Sequence, residues 1–241
     1  MRNTLLCLLA LALCGCAGQD TKGQKNPDPL EAYNRKAFAF NDTIDRYVLV
    51  PTAKGYRTIT PDPVERGVTH FYDNFFEPTT VVNGVLQGKW KQSVVDTGRF
   101  LINSTVGLFG LFDVAGAWGL EQHNEDFGQT LGYWGVGPGA YIVVPLLGSY
   151  TLRDGFGAII ESQSTSIIGR VDHVPTRNQL WALDVVNTRA LLLKADELVT
   201  GDRYTFIRDA YLQRREYLVK DGKVNDDFGA DTYDDDSFED W

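Results

Sequence analysis

Apolar residues recur at helical spacing along most of the chain. After Asp28 they follow alternating steps of three and four residues, and they then lie on one face of a helix; the positions are Leu30, Tyr33, Ala37, Phe40, Ile44 and Tyr47. Asp28-Pro29-Leu30-Glu31 is typical of a helix start, with Asp28 as the N-cap. The pattern predicts a helix that begins at Asp28 and is stopped by Pro51.

The same sequence pattern at a helix start, together with apolar periodicity, predicts further helices. Asp62-Pro63-Val64-Glu65 opens a helix that ends at Pro78. Other helices are predicted over 79–87, 89–105, 153–162, 178–194 and 202–220. The best candidate for a strand is Val143-Val144 within 140–147, and the fold class is therefore predicted to be mainly α.

Two glycine-rich apolar segments interrupt the amphipathic pattern. Residues 100–120 carry one charge, Asp113, and residues 127–152 carry none. Their glycines, with Pro138 and Pro145 in the second segment, oppose the continuous helix that a membrane span requires. The segments either pack as a buried core with tight turns or lie within a membrane face, and the pattern favours neither.

The N-terminus predicts a lipoprotein signal. A basic residue, Arg2, precedes an apolar run from Leu5 to Leu13, and Leu13-Cys14-Gly15-Cys16 is similar to the lipobox of bacterial lipoproteins. We predict a signal peptide over 1–15, lipidation at Cys16 and a polar tether over 16–27. An ordinary cleaved signal with an incidental cysteine is the alternative. Ala17 follows, rather than the Asp that often marks inner-membrane retention, which favours the outer membrane.

Charge excludes some function classes. The net charge is -9, but residues 226–241 hold eight acids and no base, so the remainder is close to neutral. A basic surface for nucleic acid is not expected, and a mean hydropathy of -0.22 argues against a polytopic membrane protein. Residues 223–241 are predicted to be an acidic disordered tail, and residues 28–222 the folded domain.

Catalytic and metal-binding motifs are not found. The three histidines, His70, His123 and His173, lack ligand spacing, and no G-x-S-x-G elbow is present. His123 lies near acidic residues, but a solvated polar turn is favoured over acid–base chemistry. We therefore predict no enzymatic activity, no catalytic residue, no cofactor and no metal.

The first half of the body has a basic bias, carried by Lys54, Arg57, Arg66, Lys89, Lys91 and Arg99. These cations either contact lipid phosphates or form a solvated helix face, and the solvated face is the simpler interpretation.

The chain from about 28 to 220 resembles the VacJ (MlaA) family of outer-membrane lipoproteins. The resemblance rests on segments that follow one another in order behind the lipobox: DPLEAYNRKAFAFND (28–42), the P-x-A-x-x-Y-R stretch (51–57), NFFEPTTVVNGVLQG (74–88), RFLINSTVGLFGLFDVA (99–115), EDFGQTLGYWGVGPGAYIVVPLLG (125–148), TLRDGFG (151–157), TRALLL (188–193) and AYLQRREYL (210–218).

The resemblance implies a monotopic, ring-like helical bundle with a central amphipathic channel. It implies removal of misplaced phospholipids from the outer leaflet of the outer membrane and their transfer to a periplasmic lipid-carrier protein, which maintains lipid asymmetry. A trimeric porin and that carrier are the implied partners, with attachment on the periplasmic side of the outer membrane. A periplasmic lipid-acting hydrolase and a passive structural lipoprotein are the alternatives.

Site residues follow from this picture. Glycines that let the backbone approach closely and flex are candidates for the channel or its gate: Gly107, Gly110, Gly116, Gly119, Gly132, Gly135, Gly137 and Gly139. Candidates for contact with lipid headgroups are Lys54, Arg57 and Arg99.

Overall fold

The computed structural model describes residues 28–165 and 167–223. The predicted signal peptide, the tether with Cys16, and all of the predicted tail except Lys223 lie outside the described residues. The helices are α1 (Glu31–Ile44), α2 (Val50–Ile59), α3 (Asp62–Leu86), α4 (Trp90–Thr105), α5 (Val114–Ala117), α6 (Phe127–Tyr133), α7 (Leu152–Ser164), α8 (Val174–Leu191) and α9 (Arg203–Val219). Short 3-10 segments cover Ile168–Arg170 and Leu192–Leu198.

The mainly α prediction is confirmed. One antiparallel hairpin interrupts the helices, with β1 (Tyr141–Val144) paired to β2 (Gly148–Thr151). In the part of the chain that the structure describes, no helix combines the length and apolar character that a membrane crossing needs.

Pro51 does not stop the first helix. A π-helical turn, Asp45–Leu49, joins α1 to α2, and the Val50 amide donates to the Asp45 carbonyl across it. Pro51 therefore lies in the first turn of α2, where its missing N–H costs little. The predicted stop is wrong because the change of helical register absorbs the proline.

Pro78 does not end a helix either, because α3 runs from Asp62 to Leu86 with Pro78 inside it. The predicted break into 62–78 and 79–87 is therefore wrong. α4 packs on both sides of Pro78: Asn74 Nδ2 donates to the Ser104 hydroxyl at 3.0 Å, and a Cβ added at Gly84 would lie 2.6 Å from the Ser93 hydroxyl. The proline removes one backbone hydrogen bond, and the tertiary contacts outweigh that loss.

Asp28 makes tertiary hydrogen bonds and is not the N-cap of α1, which is Leu30. Its carboxylate is 2% exposed and accepts hydrogen bonds from Asn34 Nδ2 at 2.7 Å and from the Tyr204 hydroxyl. Asn34 Nδ2 also donates to the Tyr141 carbonyl, and Asn34 Oδ1 accepts from the Val143 amide. The start of α1, the hairpin and α9 are thereby joined around one small core.

Candidate functional site

The described part of the chain buries mainly polar side chains and exposes many large apolar ones. Polar and charged side chains outnumber apolar ones among its buried residues. Large apolar side chains are exposed on almost every helix, including Phe40, Trp90, Leu101 and Ile159. A water-soluble domain of this size buries such side chains and seldom exposes so much apolar surface. The exterior is therefore suited to lipid or to a protein partner.

Two loop tips expose apolar side chains on residues with an unusual backbone conformation. Leu108, Phe109 and Leu146 have positive φ angles of 51°, 59° and 67°. Their exposed fractions are 57%, 74% and 72%. Bulky residues adopt this region at a cost of about 1–3 kcal/mol each. The fold therefore accepts strain where it projects apolar side chains outward.

A polar cavity of about 210 Å³ lies between α3, the 122–126 loop and α7. Its acidic lining residues come from all three elements: Asp73, Glu77, Glu125, Asp126 and Glu161. Phe76, Thr79, Thr80, Gln122, His123 and Asn124 complete the wall. We name this space the acidic cavity.

A smaller space of about 10 Å³ adjoins it and shares Asp73, Glu77 and Gln122 as lining residues. Arg99 also lines this smaller space, and it donates to the Leu120 carbonyl at 2.6 Å and to Asp113 at 3.1 Å. Arg99 Nε lies 3.4 Å from Glu77 Oε1, but neither atom makes a hydrogen bond. Glu77 is thus a buried carboxylate with incomplete pairing.

Burial raises carboxyl pKa values around this cavity. The pKa of Glu77 is raised to about 7 by desolvation and then by the charge of Asp96, against the opposing effect of Arg99. The pKa of Glu161 is raised to about 7 by desolvation, although the Phe127 amide donates to it. Burial also raises the pKa of Asp73. These groups therefore resist taking negative charge together.

His123 differs from the solvated turn that was predicted. Its Nδ1 lies 2.7 Å from Oδ1 of Asp96, which is fully buried. The ring is 30% exposed and lines the acidic cavity. The sequence could not indicate this pair, because Asp96 lies on α4, 27 residues away.

The candidate glycines fall into two groups. A Cβ at Gly107 would meet the carbonyls of Phe112 and Asn103, and one at Gly110 would lie 2.5 Å from the Asn74 Cβ. Gly116 faces the Asp113 carboxylate closely, and a Cβ at Gly132 would lie 2.7 Å from Val219. These four positions allow close packing.

Three of the other four glycines border open space. A Cβ would meet nothing within 4 Å at Gly119, Gly135 or Gly137, whereas at Gly139 it would lie 3.1 Å from the Leu152 Cβ. None of the eight candidate glycines lines the acidic cavity. A role in a channel or gate stays a prediction for them.

The three basic candidates for headgroup contact lie in different environments. Lys54 and Arg57 are exposed on α2, and Arg57 has only a long contact of 4.0 Å with Glu65. Arg99 is 4% exposed, and its guanidinium faces Glu77, Asp113 and the Leu120 carbonyl. Arg99 is therefore an interior residue, and headgroup contact stays a prediction for all three cations.

Comparison with known proteins agrees with this architecture. The family model of the MlaA lipoprotein matches residues 26–218. The intermembrane phospholipid transport system lipoprotein MlaA of Escherichia coli strain K12 is 35% identical over 230 residues, covering 93% of this chain and 91% of that protein. The protein of the same name from Haemophilus influenzae is 37% identical over 225 residues, covering 90% of each chain.

A solved structure is similar as well. It comes from work on the structural basis for maintenance of bacterial outer membrane lipid asymmetry, and it superposes with a TM-score of 0.72 at 34% identity. The match covers 80% of this chain and 100% of the other. With a family model that spans most of the described residues, the chain belongs to the MlaA lipoprotein family.

Proposed function

We propose that this protein is an outer-membrane lipoprotein of intermembrane phospholipid transport. It removes mislocalised phospholipids from the outer leaflet and passes them to a periplasmic lipid carrier, which maintains lipid asymmetry. Its family membership and the name of its Escherichia coli relative support this function. The observation that carries it is the exposure of many large apolar side chains around a largely polar interior.

That surface arrangement suits a monotopic protein. Helices that cannot span the bilayer still gain about 25 cal/mol per Å² of apolar surface that they bury among acyl chains. Acylation at Cys16 attaches the chain on the periplasmic side of the outer membrane. The helices form a ring in the leaflet, and polar interior side chains line a route for the headgroup.

Two protein partners belong to the proposal. A trimeric porin holds the lipoprotein in the membrane, and a periplasmic lipid-carrier protein receives the phospholipid. Site-specific photocrosslinkers at exposed apolar positions such as Trp90 and Phe156 test the porin contact in intact cells. Crosslinks to lipid alone from every such position would argue against a porin partner.

Deletion of the gene tests the function. We expect phospholipid to accumulate in the outer leaflet, measured by its accessibility to phospholipase added to intact cells, and detergent resistance to fall. A plasmid copy restores both, whereas a Cys16→Ser copy does not. Unchanged lipid accessibility in the deletion strain would refute the proposal and leave a passive structural lipoprotein.

Incubation of the purified protein with labelled phospholipid separates transport from hydrolysis. A transport protein returns the lipid chemically unaltered, as we expect here. Release of fatty acid or headgroup that is lost in a His123→Ala variant would instead favour a hydrolase that uses the Asp96–His123 pair.

A further inference from the structure

We infer that the turn between α2 and α3 docks on the anionic phospholipid headgroups of the membrane surface. We name residues 54–66 the α2–α3 corner. The inference rests on the membrane attachment in the proposed function, and it names the lipid that this part of the surface recognises.

The inner side of the α2–α3 corner is fixed by one side chain of α8. The Tyr56 hydroxyl on α2 donates to Asn187 Oδ1 at 3.1 Å, and Asn187 Nδ2 donates to the Thr69 hydroxyl on α3 at 3.1 Å. Ala53 is fully buried on the same side of α2. The opposite side of the corner is therefore held outward.

The tip of the α2–α3 corner is apolar. Ile59 is 81% exposed and Val64 is 53% exposed. Pro61 and Pro63 are exposed beside them. These side chains gain free energy when they leave water for the boundary between headgroups and acyl chains.

The backbone at the tip is suited to a surface that holds little water. Pro61 and Pro63 have no N–H group to hydrate. The Thr60 amide donates to a carbonyl of α2, and the amides of Val64 and Glu65 donate to the Pro61 carbonyl. Insertion of the tip therefore leaves few backbone donors without a partner.

Three exposed cations flank the tip: Lys54, Arg57 and Arg66. Among the described residues Lys54 and Arg66 form no ion pair, and Arg57 has only the 4.0 Å contact with Glu65. Asp62 is the other acid of the corner, which leaves one net positive charge on a chain whose net charge is -9. The corner is thus complementary in charge to an anionic leaflet, whereas the chain as a whole is not.

A lipid surface fits the α2–α3 corner better than a protein partner does. A stable protein interface buries about 800 Å² on each partner, and lysine is depleted there. The corner is narrow, because α2 ends at Ile59 and α3 begins at Asp62. A leaflet surrounds a protruding tip of this kind and places phosphate oxygens beside the flanking ammonium and guanidinium groups.

The inference is tested by vesicle flotation of the full chain with Cys16→Ser, so that acyl chains do not mask the contribution of the corner. One set of vesicles contains phosphatidylcholine alone, and the other also contains about 30% phosphatidylglycerol. We expect about fivefold tighter binding to the anionic vesicles, the effect of one net charge near such a surface. The preference should disappear at about 1 M salt, where charges are screened.

Variants of opposite sign test whether the α2–α3 corner carries this preference. Arg66→Gln should abolish it, and Asp62→Asn should increase it about fivefold further. Lys54→Gln replaces Arg66→Gln if that variant has a lowered melting temperature. Arg214→Gln and Asp172→Asn, equal charge changes at exposed positions outside the corner, should leave the preference unchanged.

Equal binding to both kinds of vesicle would overturn the inference while leaving the proposed transport function intact. An unchanged preference in folded Arg66→Gln, or an equal loss in Arg214→Gln, would also overturn it. If a photocrosslinker at Ile59 captured an acidic protein rather than lipid in intact cells, the corner would be a protein contact and the inference would be wrong. Absence of binding to either kind of vesicle would instead contradict the membrane attachment on which the proposed function depends.

Discussion

The Glu77 carboxylate and the Arg99 guanidinium face each other across the α3–α4 contact, with Oε1 3.4 Å from Nε and both side chains 4% exposed. Neither atom forms a hydrogen bond. A buried pair with incomplete hydrogen bonding contributes little to stability, because the desolvation of two charges offsets their attraction. The interior near the acidic cavity is therefore electrostatically unsatisfied, and its stability should respond to pH.

Stability should fall as pH rises from about 5 to 8. Burial raises the pKa of Glu77 from 4.5 to about 7, so the folded state binds a proton that the unfolded state has released. That stabilisation is complete below pH 4.5 and is lost as pH passes 7, by about 3 kcal/mol for this group. Melting temperatures measured across this range in one detergent check the slope.

Glu77→Gln should flatten part of this pH dependence, because an amide does not titrate. Glu197→Gln, at an exposed position, should leave it unchanged. Equal slopes in the wild type and Glu77→Gln would contradict the assignment of the titration to Glu77. Asp73, Asp96, Arg99 and Asp113 act electrostatically on Glu77, so their variants should shift the midpoint rather than remove it.

Local periodicity was sufficient to predict most helices, and tertiary contacts account for the failures. Amphipathic spacing predicted α4 and α9 to within one residue at each end. The predicted helix ends at Pro51 and Pro78 are wrong because a change of helical register at Pro51 and packing against α4 around Pro78 allow the helices to continue. A proline indicates a local cost, and the sequence does not show what offsets it.

The candidate site was harder to predict because its partners are distant in the chain. Arginine is usually found at the protein surface, but Arg99 pairs with Glu77 and Asp113 in the interior. His123 is linked to Asp96 only by folding. The excess of exposed apolar side chains was not visible either, because amphipathic helices that face a core and helices that face lipid share one pattern.

Gly107 and Gly137 form a matched pair that tests whether close packing requires a glycine. Neither has a positive φ angle, but a Cβ at Gly107 would lie 2.6 Å from the Asn103 carbonyl, and one at Gly137 would meet nothing within 4 Å. Gly107→Ala should destabilise the fold by about 1–3 kcal/mol, and Gly137→Ala should leave the melting temperature nearly unchanged. Similar melting temperatures for the two variants would contradict a packing role for Gly107.

Arg215 should be essential for the attachment of α9. It is 13% exposed at the side chain and contacts both Asp126 at the start of α6 and Asp154 on α7. Arg215→Met leaves these carboxylates without that partner and should cost about 3–5 kcal/mol, measured by thermal unfolding. Arg214→Met, at the exposed neighbouring position, should cost much less. Comparable losses would show that helix propensity or net charge, rather than the pairing, controls this contact.

Phe109 should contribute to membrane insertion rather than to folding, because its side chain is 74% exposed at a strained loop tip. Burial of a Phe side chain in acyl chains is worth about 2 kcal/mol, so Phe109→Ser should weaken binding to vesicles roughly 30-fold. The measurement is flotation in a Cys16→Ser background, since the acyl chains would otherwise mask the change. Phe109→Leu is the matched control, because it keeps an apolar side chain on the same backbone and should retain most of the binding. A fall in melting temperature with unchanged flotation would place Phe109 in the folded core and contradict the proposal that this tip lies in lipid.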